Sequence, residues 1–214
     1  MFSYSPRFTF LKRPPSFSLG LAFALACLTT AAFSVAPAHA SLIATGACNE
    51  TPLSQPFAPW GDTSSYELLP GGDFEGSLSG WALNGGAQQV VGSEPYDATG
   101  SAGAYSLALP AGASAQSPFT CVNASYPSFR FFARNNGLTS IVLVQVVYRT
   151  ALGSVALPLG AVTLSGEWQP TLPMLTGSLA GGLLSGGTAQ AALRFTALGG
   201  SSQIDDVFVD PRMK

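Results

Sequence analysis

Nearly all the acid–base chemistry available to this chain is carboxylate chemistry. Eleven Asp and Glu residues stand against nine Lys and Arg and a single His in 214 residues. Asp205 and Asp206 are adjacent, and Asp73 and Glu75 flank Phe74. Two carboxylates facing one another across a cleft can act as general acid and base on a glycosidic bond. Alternatively, several can share a hard cation, which takes oxygen ligands and needs neither His nor Cys. Neighbouring residues of a regular strand point to opposite faces, so Asp205 and Asp206 can serve one site only if their strand is distorted.

Other chemistries fail for want of residues. The only histidine, His39, belongs to an N-terminal segment with the three parts of a secretory signal peptide. Arg7, Lys12 and Arg13 come first, an uncharged stretch runs from Leu19 to Ala36, and Pro37-Ala38-His39-Ala40 ends on the small-x-small cleavage pattern. Residues 1–40 are therefore expected to be removed and the protein to be secreted; the competing reading is an uncleaved anchor. Beyond Ala40 there is no His, so no Ser-His-Asp or Cys-His site and no His-bound zinc or iron can form. The sole remaining lysine is Lys214, which leaves none for a Schiff base or a phosphate loop. No G-x-S-x-G elbow or C-x-x-C pair occurs.

Charge excludes a further class. No Lys or Arg lies between Arg13 and Arg130, an interval that holds seven acids, and the basic residues after Arg130 are scattered. Clustered Lys and Arg, which nucleic-acid binding requires, are missing. Cys48 and Cys121 are the two cysteines beyond Ala40, an even number for an oxidising compartment, and are expected to form one disulfide; two separate buried thiols are the alternative.

Short apolar runs broken by explicit turns must position these residues. Residues 41–65, with Trp60, form an irregular lead-in. From residue 66 to 214, strands are expected near Tyr66–Leu69, Trp81–Val91, Ala104–Leu109, Ala115–Cys121, Ser128–Ala133, Ile141–Arg149, Val155–Leu164, Trp168–Leu175, Thr188–Ala197 and Gln203–Val209. Asn84-Gly85-Gly86, Pro110-Ala111-Gly112 and Asn135-Asn136-Gly137 supply turns between them. In Ser128–Arg134, Phe129, Phe131 and Ala133 share one face and Arg130 and Arg134 the other. The run Ile141–Tyr148 is almost wholly apolar and is expected to be a central strand covered on both sides. Leu175–Gln190 is Gly/Ala-rich and fits either a loop or a packed crossover. The sum is an all-β, two-sheet antiparallel sandwich.

Two motifs carry a family likeness. Leu68-Leu69-Pro70-Gly71-Gly72-Asp73-Phe74-Glu75-Gly76 leads to Trp81, and Gln203-Ile204-Asp205-Asp206-Val207 stands near the C-terminus. Together they resemble the opening "N-G-x-F-E" segment and closing "I-D-D-V" strand of the galactose-binding-domain-like jelly roll, the fold of secreted carbohydrate-binding modules. Here Pro70-Gly71 stands where the family usually has Asn. The resemblance implies a structural calcium ion joining the terminal strands, with Glu75 and Asp205 as leading ligands and Asp73 and Asp206 behind them; otherwise Asp73 and Glu75 are turn residues and Asp205 an exposed strand residue. It also implies sugar binding on stacked aromatic rings. Trp81 and Trp168 are expected in the core, which leaves Trp60 and Tyr96, in Pro/Gly-rich loops, as the glycan platform.

The resulting expectation is a secreted, non-catalytic module with structural Ca2+ that binds a polysaccharide or cell-surface glycan. A structural or adhesive extracellular protein without a glycan ligand is the alternative, and a carboxylate-only glycosidase or lyase is a third.

Overall fold

A computed structural model describes residues 52–122, 128–137, 139–150, 152–175 and 189–210. The expected signal peptide, Cys48 and most of the Gly/Ala-rich stretch lie outside the described residues. So the expected Cys48–Cys121 disulfide falls half outside them. No described helix is long and apolar enough to cross a membrane.

Thirteen strands form among the described residues, because several expected strands are divided where the sequence breaks them. The run Trp81–Val91 becomes β2 (Ala82–Asn84) and β3 (Gln88–Val91), parted by Gly85 and Gly86 at φ 67° and 87°. Ala115–Cys121 becomes β5 (Ser114–Gln116) and β6 (Thr120–Val122). Pro118 has no N–H to give there, and the Ser117 hydroxyl instead accepts a hydrogen bond from Leu193 N at 3.0 Å. The run Trp168–Leu175 becomes β10 (Gln169–Pro170) and β11 (Met174–Leu175). The others are β1 (Glu67–Leu68), β4 (Tyr105–Leu109), β7 (Ser128–Asn135), β8 (Ser140–Thr150), β9 (Gly153–Leu164), β12 (Ala189–Gly199) and β13 (Ser202–Asp210).

They make two antiparallel sheets. One has seven strands in the order β10-β7-β13-β4-β3, with β1 on β13 and β11 on β7; the other has six in the order β2-β5-β12-β8-β9, with β6 on β12. Period-two alternation turns Phe129, Phe131 and Ala133 of β7, Val142, Val144 and Val146 of β8, and Leu193, Phe195 and Ala197 of β12 into one shared core. Gly200, at φ 70°, follows β12; a Cβ there would lie 2.0 Å from Thr139 O, so the turn into β13 tolerates only glycine.

The strand covered on both faces is β13, every residue of which is buried, rather than β8. On β8 the inward side is buried, while Ile141, Leu143 and Gln145 on the outward side remain partly exposed. The cover over β13 comes from the lead-in. Its described part is irregular, yet Phe57 is fully buried and packs with Tyr66, Phe132, Trp168 and Phe208 in a second cluster on the outer face of the seven-stranded sheet. Arg130 is buried beneath it: its guanidinium lies 4.0 Å from the Phe57 ring centroid and donates to Asp62 at 2.7 Å and to Thr171 O at 2.7 Å. Burial alone would raise the Asp62 carboxyl, but hydrogen bonds from the Tyr66 hydroxyl, Ser64 and Arg130 hold it at about 2.

Candidate functional site

The distortion that the adjacent aspartates require is present in β13. Asp205 lies opposite Phe132 and Phe208 opposite Arg130, so β13 takes three steps where β7 takes two. This is a β-bulge, and its extra residue, Asp206, sits at φ 45°. It lets Ile204 and Val207 both face the main core, which a regular strand could not do.

The bulge brings Asp205 and Asp206 beside Glu94, a residue the motifs do not single out. Asp205 Oδ2 accepts hydrogen bonds from Ser93 Oγ at 2.8 Å and Glu94 N at 2.9 Å, and its Oδ1 accepts from Asp206 N at 2.9 Å. Glu94 in turn accepts from the backbone N–H groups of Tyr96 and Ala98. All three carboxyls are buried, Asp205 completely. Burial pushes Asp205 up to about 7, against the pull of the Glu94 N–H and Ser93 hydroxyl. Burial pushes Asp206 well above the carboxylate range too, and repulsion from Asp205 and Glu94 adds to it.

The four expected metal-binding side chains are thus separated in role. Asp205 and Asp206 come together, and Asp73 is close enough to add to the repulsion on Asp206. Glu75 is exposed and ties down the start of β4, its Oε1 accepting from Ala104 N at 2.7 Å and Tyr105 N at 2.8 Å. Gly103 keeps that junction open, since a Cβ there would lie 2.3 Å from Ser93 Oγ and 2.7 Å from Glu75 Oε1. Among the described residues, no three His, Cys, Asp or Glu side chains are arranged to hold a metal ion by themselves. Only a charged residue between Gly92 and Pro95 hinted at Glu94, and many turns look the same.

The two expected platform aromatics do meet. Trp60 and Tyr96 are each about two-fifths exposed, with ring centroids 5.0 Å apart at 86°, and both rest on Phe132. The Tyr96 hydroxyl donates to Trp168 O at 2.8 Å. Edge-to-face packing gives no coplanar platform, so a sugar could stack on only one of these rings at a time. Trp81 and Trp168 are buried as expected, Trp81 in the main core and Trp168 in the outer cluster.

A second surface lies on the opposite side of the sandwich, over the six-stranded sheet, and was not anticipated. A groove of about 420 Å³ crosses the strands there. Strand register explains its lining. Ala82, Gln116, Arg194 and Gln145 are successive cross-strand neighbours on β2, β5, β12 and β8, and Asn84, Ser114 and Thr196 form the next row. All alternate with core residues and so point away from the core. The floor is polar, and among its described lining residues there is no aromatic ring, no acid and one cation, Arg194. Arg194 is fixed in it by two hydrogen bonds to Gln116 Oε1, from Nε at 3.2 Å and Nη2 at 2.8 Å. The signal in the sequence was a lone Gln145 in an apolar run and a lone Arg194 in another. Neither pointed to the other, because register between distant strands is invisible there.

No protein-family model matches the sequence, and no curated protein matches it. Solved structures do. The CBM22-1 and GH10 modules of Clostridium thermocellum endo-1,4-beta-D-xylanase 10B, complexed with xylohexaose, align over 70% of this chain at 17% identity with a TM-score of 0.51. The chain has the galactose-binding-domain-like β-sandwich fold. It spans 29% of the length of that xylanase structure. The CBM22-1 xylan-binding domain of Paenibacillus barcinonensis Xyn10C aligns over 66% of this chain and 93% of its own, at 13% identity and a TM-score of 0.45. The family 11 carbohydrate-binding module of Clostridium thermocellum, with a mixed-linked tetrasaccharide, aligns over 70% and 97%, at 11% identity and 0.46.

Proposed function

We propose that this protein is a secreted, non-catalytic glycan-binding β-sandwich. The observation that carries the reading is the groove over the six-stranded sheet: an open, polar, ligand-sized trough on a hydrogen-bonded sheet, where sugar hydroxyls would find amide and hydroxyl partners. The buried carboxyls support a non-catalytic role, because Asp205, Asp206 and Glu94 are sealed from any polymer that could reach the surface. Glycan-array binding by the purified protein tests the reading, with retention on at least one polysaccharide and no release of reducing ends as the expected result. A folded protein retained on nothing would favour a structural or adhesive extracellular role, to which a groove without aromatic rings is also suited.

Calcium at the closing strand is part of the same proposal. Asp205 and Asp206 are buried beside Glu94 with no basic residue among their described partners, and burial with mutual repulsion raises both aspartates, a strain that a cation would relieve. Their oxygen-only donors are of the kind calcium takes, with Asp73 nearest in reserve; main-chain carbonyls and water would have to complete its shell. When bound, calcium would stabilise the bulge of β13 by neutralising it. Calorimetric titration with Ca2+ should show binding that Asp206→Asn weakens more than Glu75→Ala, and a titration without heat or thermal stabilisation removes the metal. The disulfide joins Cys121 of β6 to Cys48 in this proposal; mass analysis of the unreduced protein checks it.

A further inference from the structure

We infer that the groove over the six-stranded sheet recognises a carboxylate-bearing glycan, a polymer containing uronic acid, through Arg194. The inference rests on the glycan-binding reading and adds the chemical class of ligand.

Three observations lead to it. First, none of the described lining residues of the groove is aromatic, so they offer no ring on which a neutral sugar could stack. A neutral polymer would lose there the apolar contact that orients a pyranose and would be left with amide contacts alone. Second, the only charge among the described lining residues is Arg194, and no described acid pairs with it. No lining residue is acidic, and the ion pair described elsewhere, Arg130 with Asp62, lies on the seven-stranded sheet. The buried acids Glu94, Asp205 and Asp206 also belong to that sheet or the loop on it. An uncompensated cation on the floor of a groove is notable in a chain with an acidic surplus, and it attracts an anion.

Third, the guanidinium is held in place. Nε and Nη2 both donate to Gln116 Oε1, which fixes its plane within the row Ala82, Gln116, Arg194, Gln145. Nη1 has no partner among the described residues. A planar fork with fixed orientation suits the planar carboxylate of a uronate better than a flexible ammonium would. Beside it, Gln145 and Asn84 carry side-chain amides, and Thr196 a hydroxyl, without described hydrogen-bond partners, and all three line the groove. They suit the hydroxyls of the same sugar and of its neighbour. Adjacent rungs on one face of a strand are about 7 Å apart, so these groups offer separate contacts along the groove.

The test compares polygalacturonate with the same polymer fully methyl-esterified, and with neutral xylan, by affinity electrophoresis and calorimetry. The expected result is binding to polygalacturonate that weakens at least tenfold on esterification, weakens with added NaCl, and falls at least tenfold in Arg194→Ala. Arg194→Lys keeps the charge but loses the fork, and should recover only part of the binding. Thermal melting monitors folding of each variant, and Gln145→Ala, which removes no described contact, provides a second lesion in the groove that should also weaken binding. Equal binding to the esterified polymer, unchanged binding by folded Arg194→Ala, or binding to xylan alone overturns the carboxylate assignment and leaves the glycan-binding reading intact. Retention of none of the three, nor of any array glycan, overturns both.

Discussion

The two outer faces of this sandwich are built by the same alternation and treated in opposite ways. On the seven-stranded sheet the outward side chains of β7 and β13 include Phe132, Phe208 and Arg130, and the lead-in closes over them with Phe57 and Tyr66. On the six-stranded sheet the outward side chains of β5, β8 and β12 are Gln116, Gln145, Arg194 and Thr196, and they line an open groove. One face is covered, and its buried Arg130 is paired with Asp62; the other is open, and its Arg194 has no acidic partner among the described residues. An outward-facing residue on a sheet therefore says little about binding until one knows what covers it.

The largest effect should come from uncovering the first face. Phe57 is fully buried among three aromatic neighbours, with centroids of 5.1 to 5.5 Å to Tyr66, Phe132 and Phe208. Phe57→Ala should cost about 4 kcal/mol in urea unfolding. A loss below about 1 kcal/mol would mean that the lead-in is dispensable packing, and the contrast between the faces would lapse.

The ion pair under that cover comes next. Asp62→Asn leaves the buried Arg130 guanidinium without its counter-ion and should cost about 3 kcal/mol. The pH dependence has a definite sign. The folded Asp62 carboxyl lies at about 2, below the ordinary 3.8, so its contribution is present above about pH 4 and is lost as pH falls toward 2. The variant should lack this share of the acid destabilisation, which unfolding midpoints at pH 2.5 and 5 would reveal.

The bulged strand titrates the other way. Asp205 and Asp206 are raised in the folded state, so in metal-free protein their contribution is full below about pH 4 and falls as pH rises, toward about 7 for Asp205 and further for Asp206. Asp206→Asn should flatten this fall, adding about 1 kcal/mol at pH 8 without metal. If calcium occupies the bulge, the order reverses in its presence and wild type becomes the more stable. An unchanged profile in both conditions would show that the buried acids are not under the strain that their burial implies.

How far the sequence foretells this arrangement depends on distance along the chain. Local signals translate directly: the alternation of Phe129, Phe131 and Ala133, the turn at Gly85-Gly86, and the burial of Trp81. The strand breaks at Pro118 and between β10 and β11 were also written there, but as residues inside runs that looked continuous. The two motifs identify the closing strand, and the need for a distortion at Asp205-Asp206 follows from pleat geometry alone. Its partner does not, because Glu94 reaches Asp205 across 111 positions of sequence. Gln116, Arg194 and Gln145 fail for the same reason: they lie on three separate strands, and only the pairing of β5, β12 and β8 places them side by side. The meeting of Trp60 and Tyr96 follows from their both resting on Phe132, a contact equally absent from local pattern.

The smallest expected effect on stability is at the open face. Gln145 sits between Arg194 of β12 and Pro158 of β9, half-exposed, and its amide has no described hydrogen-bond partner. Gln145→Ala removes no buried contact, so unfolding should change by no more than about 0.5 kcal/mol. Phe57→Ala, in whatever fraction stays folded, should leave groove binding intact, whereas Gln145→Ala should weaken retention on polygalacturonate without moving the melting temperature. This double dissociation separates the face that holds the fold from the face that is free to bind. A Gln145→Ala protein as destabilised as Phe57→Ala would mean that the groove, too, is part of what holds the sandwich together.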